Sequence, residues 1–353
     1  MTQTKYTVTL LPGDGIGPEV VEAAVQVIEA TGISIQWERF EIGARAHELH
    51  GTTLPPAVLE SVRKNKTALK GPTTTPIGGG HVSVNVGLRR ALDLYANLRP
   101  IRNIPGVKSR YEGVDLYVVR ENTESLYAGI EHVVVPGVVE SLKVITADAS
   151  TRIARFAFAF ARRRGRRKIS AIHKANIMKL SDGLFLDCCR KIALEYPEIQ
   201  YEELIVDNAC LQLVTDPTRF DVILTENLYG DILSDLCAGL VGGLGFAPGG
   251  NFGDNAVVFE TVHGSAPDIA GKGVANPIAS MLSGVMLLRH LGEISAADRL
   301  KRAIFDHLAK GKTLTPDMGG KATTADVRDG IRRELQEHPE TKNEQLGAIR
   351  SGS

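Results

Sequence analysis

The sequence has few cysteines, no net charge and no long apolar run, and each of these absences excludes a class of protein. Its four cysteines form no C-x-x-C pair, so neither a zinc ribbon nor a thioredoxin-like redox centre is indicated. Lysines plus arginines number 41, and aspartates plus glutamates also number 41. This balance argues against a dedicated nucleic-acid or membrane-surface binder. No apolar run approaches the roughly 20 residues that a membrane-spanning helix needs. We therefore expect neither a nucleic-acid nor a membrane partner.

The N-terminal segment and the overall composition are typical of a globular protein in a reducing compartment. Residues Met1 to Tyr6 contain no apolar core of a secretory signal, which predicts a cytoplasmic protein. Of the 353 residues, 43% are hydrophobic and 23% are charged, so a large core can be buried. At roughly 100–200 residues per domain, the length predicts about two domains.

Strand-like and helix-like patterns alternate along the chain, which is typical of an α/β protein. A β-rich run at Tyr6–Leu11 precedes a turn and a helix with an apolar face. Further strands are expected at 67–70, 115–120, 168–173, 200–206 and 221–225. The segments 131–135 and 142–146 are β-branched and flank Pro136-Gly137, which predicts a hairpin. The polar residues from His338 onward are expected to be partly disordered. The pattern predicts an α/β fold of two interleaved lobes.

The glycines of Gly13-Asp-Gly15-Ile-Gly17 follow the first strand and look, at first sight, like a dinucleotide-binding fingerprint. That fingerprint requires G-x-G-x-x-G, in which the third glycine permits close packing of the helix on the strand. Here the third glycine comes one residue early, and Pro18 follows it, a residue suited to the first turn of a helix. The segment therefore favours a tight strand-to-helix turn over a Rossmann site.

Three arginines, Arg89, Arg99 and Arg120, lie at or near the ends of predicted elements. A guanidinium group can bind a carboxylate through two hydrogen bonds, so three that converge would suit a polycarboxylate. Spacing alone does not show that they converge. On the residues alone, three separate surface ion pairs are the simpler interpretation.

Asp231 and Asp235 are four residues apart in an apolar helical pattern, which places both carboxylates on one face, about one turn apart. Like charges at this spacing repel each other unless a cation lies between them. Asp207, which ends a predicted strand at 201–206, could be a third ligand. Oxygen ligands without a histidine or cysteine pattern favour Mg²⁺ or Mn²⁺ over zinc. A solvated helix face is the alternative, and the apolar neighbours argue against it.

Lys174 lies in the segment His173-Lys-Ala-Asn176, which ends a predicted strand where α/β folds place functional groups. Among carboxylates and a metal ion, such a lysine could accept a proton. An ordinary surface lysine is the alternative interpretation.

The run at 162–168 is basic at every position except Gly165 and could indicate a nucleic-acid site. It closes a predicted helix, where cations interact favourably with the helix dipole. Because the net charge is zero, a solvated helix end is the better interpretation.

Together these segments resemble the β-decarboxylating dehydrogenases, which include isocitrate, homoisocitrate, 3-isopropylmalate and tartrate dehydrogenases. The resemblance runs from Leu11 to about Arg333 and is strongest with NAD-dependent isocitrate enzymes. It rests on the blocks 11–19 (LPGDGIGPE), 94–100 (LYANLRP), 120–124 (RENTE), 173–176 (HKAN), 227–235 (NLYGDILSD) and 263–272 (HGSAPDIAGK).

The resemblance implies the isocitrate/isopropylmalate dehydrogenase-like fold, an α/β fold in which two lobes surround a shared mixed sheet and no Rossmann fold holds the cofactor. Residues 1–98 plus 252–353 would form a large lobe with the cofactor loops. Residues 99–251 would form a small lobe with the metal and substrate residues, and its hairpin near 131–146 would clasp a second subunit. A homodimer, alone or paired into a tetramer, is the expected assembly.

The resemblance also assigns roles to the polar residues singled out above. The malate part of the substrate would be held by Arg89, Arg99 and Arg120. The metal ligands would be Asp207, Asp231 and Asp235, with Asp207 coming from the partner subunit. Lys174, also from the partner, would help to deprotonate the substrate hydroxyl, and Tyr127 would protonate the enol after decarboxylation.

Ser83 and Asn85 point to the substrate within the family. Isocitrate enzymes resemble this sequence here, because serine and asparagine can donate hydrogen bonds to the extra carboxylate, whereas isopropylmalate enzymes have apolar residues. We therefore expect NAD-dependent oxidative decarboxylation of isocitrate to 2-oxoglutarate. The C-terminal third looks equally like homoisocitrate dehydrogenases, so homoisocitrate or a broader substrate range is the alternative. A non-catalytic regulatory subunit is disfavoured, because every named site residue is present. Ser125 departs from the family, which commonly has glycine or aspartate at that position.

Asp268-Ile269 predicts NAD rather than NADP as the cofactor. NADP-using relatives carry Lys-Tyr here, whereas a carboxylate can accept hydrogen bonds from the ribose hydroxyls and repels a 2′-phosphate. A turn-capping role for Asp268 is the alternative. The resemblance implies further cofactor-binding residues at Thr74, Thr75, Asn176, His263, Gly264 and Asn276.

Overall fold

The computed structural model describes residues 5–75 and 83–337 and shows an α/β protein, as the alternating pattern predicts. The strands are β1 (Tyr6–Leu11), β2 (Ile35–Arg39), β3 (Thr67–Lys70), β4 (Ala96–Arg102), β5 (Asp115–Glu121), β6 (Ser125–Val135), β7 (Val138–Val144), β8 (Lys168–His173), β9 (Gln200–Ile205), β10 (Val222–Thr225), β11 (Pro248–Phe252) and β12 (Val257–Thr261). The helices are α1 (Gly17–Glu29), α2 (Ala44–His50), α3 (Pro56–Asn65), α4 (Val84–Ala91), α5 (Ala147–Arg163), α6 (Ser181–Ala193), α7 (Val206–Thr215), α8 (Asn227–Leu240), α9 (Ile278–His290), α10 (Ile294–Lys310) and α11 (Thr324–Glu337). The glycine-rich loop at 76–80 and the polar tail from His338 lie outside the described residues.

The chain divides into two compact units. The first comprises residues 1–74, 104–108 and 259–353, and the second comprises residues 75–103 and 109–258. Residues 75–98 therefore belong to the second unit, although the predicted large lobe includes them. The lobe limits drawn from the family resemblance stay a prediction.

The first unit places helices with apolar faces beside parallel strands. β2, β1 and β3 are adjacent in that order and parallel, and β12 lies beside β3. α1 has a proline in its first turn and buries Val20, Ala24 and Val27 on one face, and it packs against α9 and α11. Gly13 to Gly17 form the tight strand-to-helix turn that their spacing predicts, since β1 ends at Leu11 and α1 begins at Gly17.

The second unit contains a mixed sheet that brings distant segments together. Its strand order is β11-β4-β5-β10-β8-β9, with β4 antiparallel to both neighbours and the last four strands parallel. Because parallel strands share one direction, the ends of β5, β10 and β8 lie at one edge of the sheet, where Thr225 is in register with both Arg120 and Ile172. On the other side of β5, Asn97 of β4 faces Arg120. Arg99 is therefore only two residues from the partner of Arg120.

β6 and β7 form the hairpin that the two β-branched segments predict, with its turn at Pro136-Gly137. The first strand is longer than expected and begins at Ser125. Much of the hairpin is apolar and exposed; Val133 is 67% and Val139 is 63% exposed. An exposed apolar surface of this kind is typical of an interaction site.

Some elements differ from the sequence expectation. Asp207 lies in the first turn of α7 and does not end a strand, because β9 stops at Ile205. β11 was not expected, since glycine weakens a strand and Gly249-Gly250 lies at its centre. No helix in the described parts of the chain is both long and apolar enough to cross a membrane.

Candidate active site

Guanidinium groups and carboxylates meet where β4, β5 and α8 come together. Arg120 donates a hydrogen bond to Asp231 and two more, at 3.0 and 2.7 Å, to the Oδ1 atom of Asn227. Arg99 donates to Asp235 at 3.0 Å and to Asp231 at 3.4 Å. The structure thus brings together two of the predicted arginines and both helical aspartates.

Arg89, on α4, lies close enough to Arg120 for their positive charges to interact. All three arginines are buried, and Arg120 is only 1% exposed. Burial and then the positive charges of Arg89 and Arg99 lower the pKa of Arg120 to about 10, against the opposing effect of Asp231. Three guanidinium groups in mutual electrostatic contact attract an anion with several carboxylates. The three arginines therefore converge, which their spacing in the sequence alone did not show.

The pKa values of Asp231 and Asp235 are shifted in opposite directions. Burial acts to raise the pKa of Asp231, but Arg120 and a hydrogen bond from Tyr127 bring the net pKa below its ordinary value. The pKa of Asp235 is raised, first by burial and also by the negative charge of Asp231, although Arg99 opposes the change. A divalent cation between the two carboxylates would relieve this repulsion. Two all-oxygen side chains, 36% and 53% exposed, fit Mg²⁺ or Mn²⁺.

Two features of α8 present these carboxylates. Glu226, the N-cap residue, accepts hydrogen bonds from the backbone N–H groups of Leu228 and Tyr229, both at 3.0 Å. Gly230 lets the neighbouring arginine lie against the helix, since a Cβ atom at this position would be 2.5 Å from the Cγ atom of Arg120. The helix start and its glycine therefore position the acidic pair.

Tyr127 lies in the same cluster. Its hydroxyl group donates to Asp231, and the guanidinium carbon of Arg120 is 5.0 Å from the centre of its ring. Burial, together with the hydrogen bond to Asp231, raises the pKa of Tyr127. The phenol therefore stays protonated at neutral pH and can donate a proton.

Lys174 and Asp207 form an ion pair of their own. Lys174 follows β8, Asp207 is in the first turn of α7, and their side chains are 27% and 69% exposed. The ammonium group lowers the pKa of Asp207 through a hydrogen bond. Among the described residues of one chain, no group of three or more carboxylate, histidine or cysteine side chains is placed to hold a metal ion. Asp207 therefore does not complete the metal site of Asp231 and Asp235 in its own chain.

α4 carries the residues expected to select the substrate. Ser83 is its N-cap residue, and the serine side chain makes no capping hydrogen bond. Asn85 and Arg89 are one turn apart on this helix, a spacing at which side chains share a face. Ser83 and Asn85 are both partly exposed, whereas Arg89 is buried.

The residues expected to bind the cofactor lie mostly in the first unit. Thr74 Oγ1 is 2.7 Å from Ser265 Oγ, Gly264 and Asp268 are exposed, and Asn276 donates to Asp317 at 2.9 Å. His263 has a buried Nε2 atom without a hydrogen-bond partner in the described structure, which suits a polar ligand group. Thr75 and Asn176, both exposed, belong to the second unit.

Two contacts in the second unit involve residues that the sequence analysis did not single out. Asp182 accepts a hydrogen bond from the backbone N–H of Lys174 and another from the Lys143 ammonium group, both at 2.6 Å. Arg90, next to Arg89, donates to the carbonyl oxygen of Tyr127. No spacing in the sequence signals these contacts, because each joins segments that meet only in the folded chain.

Comparison with known proteins gives concordant results. Residues 7–331 match the sequence profile of the isocitrate/isopropylmalate dehydrogenase family. One relative, the NAD isocitrate dehydrogenase catalytic subunit 5 of Arabidopsis thaliana mitochondria, is 54% identical over 93% of this chain and 88% of its own. Another, a mitochondrial NAD isocitrate dehydrogenase regulatory subunit of Dictyostelium discoideum, is 52% identical over 94% of this chain and 92% of its own. The crystal structure of isocitrate dehydrogenase from Methylococcus capsulatus matches with a TM-score of 0.91 and 51% identity, over 94% of this chain and 99% of that one.

The prediction of a cytoplasmic protein is wrong by this comparison. Both named eukaryotic relatives are mitochondrial proteins, not cytoplasmic ones. The prediction rested on the missing apolar signal core, a feature that distinguishes secreted proteins but does not separate the cytoplasm from the mitochondrial matrix.

Proposed function

Because the chain belongs to the isocitrate/isopropylmalate dehydrogenase family and is an oxidoreductase, we propose that it converts isocitrate to 2-oxoglutarate and CO₂ with NAD as the hydride acceptor. The observation that carries the proposal is the meeting of three buried arginines with Asp231 and Asp235. Such a cluster fits a substrate with several carboxylates and a divalent cation.

The substrate would bind in the second unit through its carboxylates. Arg89, Arg99 and Arg120 would hold the malate part, and this anion would offset the repulsion among their charges. Ser83 and Asn85 would donate hydrogen bonds to the remaining carboxylate. A third carboxylate would therefore accept hydrogen bonds from Ser83 and Asn85, whereas an apolar substituent could accept none.

Asp207, Asp231 and Asp235 would hold Mg²⁺ or Mn²⁺, which would supply Lewis-acid stabilisation of negative charge, and NAD would supply the hydride acceptor. Lys174, as the neutral amine, would take the proton of the hydroxyl on C2 as the hydride leaves C2. The arginines would keep the substrate carboxylates in place while the carboxylate on C3 departs as CO₂. Tyr127 would then donate its phenolic proton to C3, a proton that the phenol retains at neutral pH.

A homodimer with shared active sites accounts for the separate position of Lys174 and Asp207. These two residues pair with each other, and Asp207 does not join the acidic pair of its own chain. The partner subunit's Lys174 and the partner's Asp207 would complete each site. Exposed apolar residues on the hairpin, on α7 (Leu211, 65%) and on α8 (Ile232, 55%) would form the contact between subunits.

Homoisocitrate is the second candidate substrate, alone or within a broader range, because the C-terminal third resembles those enzymes equally well. A non-catalytic regulatory subunit is disfavoured, although one relative bears that name. Here the arginines, aspartates, tyrosine and lysine are all present and, apart from the pair formed by Lys174 and Asp207, are gathered in one cluster.

The decisive measurement compares kcat/KM for isocitrate, homoisocitrate and isopropylmalate, with NAD and either Mg²⁺ or Mn²⁺. We expect isocitrate to be preferred. Replacing Ser83 and Asn85 together by leucine should cost about 1.5–3 kcal/mol with isocitrate, because hydrogen bonds to a charged group are lost. Isopropylmalate should be affected far less. An equal loss with both substrates would show that these residues only shape the loop, and no turnover with any substrate would remove the proposal.

A further inference from the structure

The turn between β1 and α1 contains a buried acid, Asp14, that takes no part in the proposed chemistry. Asp14 is 7% exposed. No lysine or arginine in the described chain forms an ion pair with it. A buried carboxylate without a cation needs strong hydrogen bonds to offset the loss of hydration. Its partners therefore indicate what it does.

Asp14 bonds to two separate backbone segments. Its Oδ1 atom accepts a hydrogen bond from the N–H of Ala44 at 2.8 Å, at the start of α2, and its Oδ2 atom accepts one from the N–H of Thr74 at 2.9 Å. Its own N–H donates to the carbonyl of Pro72 at 2.8 Å. Asp14 thus holds the segment 72–74 at two points, and that segment ends with a residue expected to bind the cofactor.

The same turn also holds the second cofactor segment. The N–H of Ile16 donates to the carbonyl of Ser265 at 2.9 Å, and Ser265 Oγ is 2.7 Å from Thr74 Oγ1. Gly15 allows this approach, since a Cβ atom there would lie 2.0 Å from the Ser265 carbonyl oxygen. Ser265 lies between His263 and Asp268, so one turn holds both the segment that ends at Thr74 and the segment that carries His263, Gly264 and Asp268.

We propose that Asp14 is a positioning residue for NAD: its carboxylate fixes the Thr74 segment, which in turn is fastened to the Ser265 segment, so that both are in place before the cofactor binds. This inference rests on the proposed use of NAD and goes beyond it, since Asp14 itself touches no reacting atom. Segments that are already ordered bind a ligand more tightly, because binding does not have to order them and so loses less conformational entropy.

Asp14→Asn tests the proposal with almost no change in volume. An amide has only one acceptor oxygen, so one of the two backbone N–H groups loses its partner and faces an NH₂ group. We expect the dissociation constant of NADH, measured by fluorescence titration, to rise roughly tenfold or more. The KM for isocitrate should change less than about twofold, because the substrate residues lie in the second unit. Without any cofactor, the amide protons of Thr74 or Ala44 should exchange faster than in the wild type.

Asp221→Asn is the control. Asp221 also accepts hydrogen bonds from two backbone N–H groups, those of Arg167 and Lys168, but both reach its Oδ2 atom, and its Oδ1 atom pairs with Arg166; all of these residues belong to the second unit. A similar fall in melting temperature with unchanged NADH binding is expected for this variant. If Asp14→Asn behaves in the same way, Asp14 only supports the fold and the proposal is overturned.

Ser265→Ala provides a milder test if Asp14→Asn folds poorly. It removes the hydroxyl contact with Thr74 and should weaken NADH binding roughly threefold. In the double variant the two losses should not add, because both act on the same segment. Unchanged NADH binding by Ser265→Ala would contradict the proposal. Wild-type protein that does not bind NADH would overturn the proposed function, and this inference with it, whereas normal wild-type binding with an unaffected Asp14→Asn variant overturns the inference alone.

Discussion

At the scale of single residues, the three buried arginines bring like charges together, which fits an anion-binding site better than a contact that stabilises the fold. Arg120 is surrounded by two further guanidinium groups, and its pKa is lowered to about 10. Among the described residues, Asp231 and Asp235 offset part of this charge. Functional sites commonly retain such unfavourable contacts because they are relieved when the ligand binds.

Ser125 is a second locally unfavourable residue, and its replacement by glycine should stabilise the chain. Its φ angle is +69°, it is fully buried, and its hydroxyl has no hydrogen-bond partner in the described structure. Ser125→Gly should raise the free energy of unfolding by about 1 kcal/mol, since glycine tolerates this backbone conformation and leaves no unpaired hydroxyl. Urea denaturation measures the change.

Lys66→Gly separates the two contributions to the Ser125 prediction. Lys66 has a φ angle of 59° and is exposed at the end of α3, so its replacement relieves backbone strain only. A smaller gain than for Ser125→Gly is expected. A loss of stability in Ser125→Gly would mean that the serine makes a favourable contact in solution.

Asp268 and Ile269 should set the cofactor preference. Replacing them together by lysine and tyrosine removes a negative charge and adds groups that bind a phosphate. The ratio of kcat/KM for NAD over NADP should fall by roughly 10- to 100-fold, which corresponds to about 1.5–3 kcal/mol from charge-assisted hydrogen bonds. Asp187→Lys, an exposed acid of the second unit, is the control for charge alone. If the ratio is unchanged, Asp268 does not select the cofactor and serves only to cap its turn.

At the scale of elements, α8 combines an N-cap, a glycine that admits Arg120 and two acids one turn apart. Its start follows β10, whose last residue is in register with Arg120. The position of the acidic pair therefore depends on how firmly the first turn of α8 is held. The cap at Glu226 provides that hold through two backbone hydrogen bonds.

Glu226→Ala should weaken metal binding although Glu226 is not an expected ligand. Loss of an N-cap costs about 1 kcal/mol, and a frayed first turn would move Asp231. We expect the Mn²⁺ concentration for half-maximal activity to rise roughly fivefold to tenfold. Thr146→Ala removes the cap of α5 and is the matched control, with a similar loss of stability and unchanged metal dependence. The prediction is contradicted if both variants need the same Mn²⁺ concentration for half-maximal activity.

At the scale of the whole molecule, we expect the proposed site to be complete only in an assembly. The acidic pair and the arginines belong to one cluster, whereas Lys174 and Asp207 form another. A two-fold dimer uses the same surface twice and therefore builds two equivalent sites from such halves. The exposed apolar hairpin is available for that contact.

Mixed dimers test this arrangement. Lys174→Met should abolish proton removal, and Asp231→Asn together with Asp235→Asn should abolish metal binding, so each variant alone is inactive. In a hybrid, one site collects both defects and the other collects neither. Random assortment makes about half of the dimers hybrids with one intact site, so near a quarter of wild-type activity should return after subunit exchange. Verified hybrids without activity would place Lys174 in the site of its own chain.

Local pattern determined much of this protein from the sequence alone. The strands β3 and β8 have the predicted limits, because short apolar runs between turn residues are decided by nearby residues. The turn at Gly13 to Gly17 and the hairpin turn at Pro136-Gly137 were predictable for the same reason. The family, too, follows from short blocks in which glycines and charged residues have fixed positions.

Only the tertiary structure decided which side chains meet. The arginines are far apart in sequence, and they converge because β4 pairs with β5 in a register that opposes Asn97 to Arg120. The contact of Asp207 with Lys174 and the contacts of Asp14 with Ala44 and Thr74 likewise join segments 30 or more residues apart. Spacing along a chain specifies a face of one helix or strand, whereas contacts between elements depend on strand order and packing.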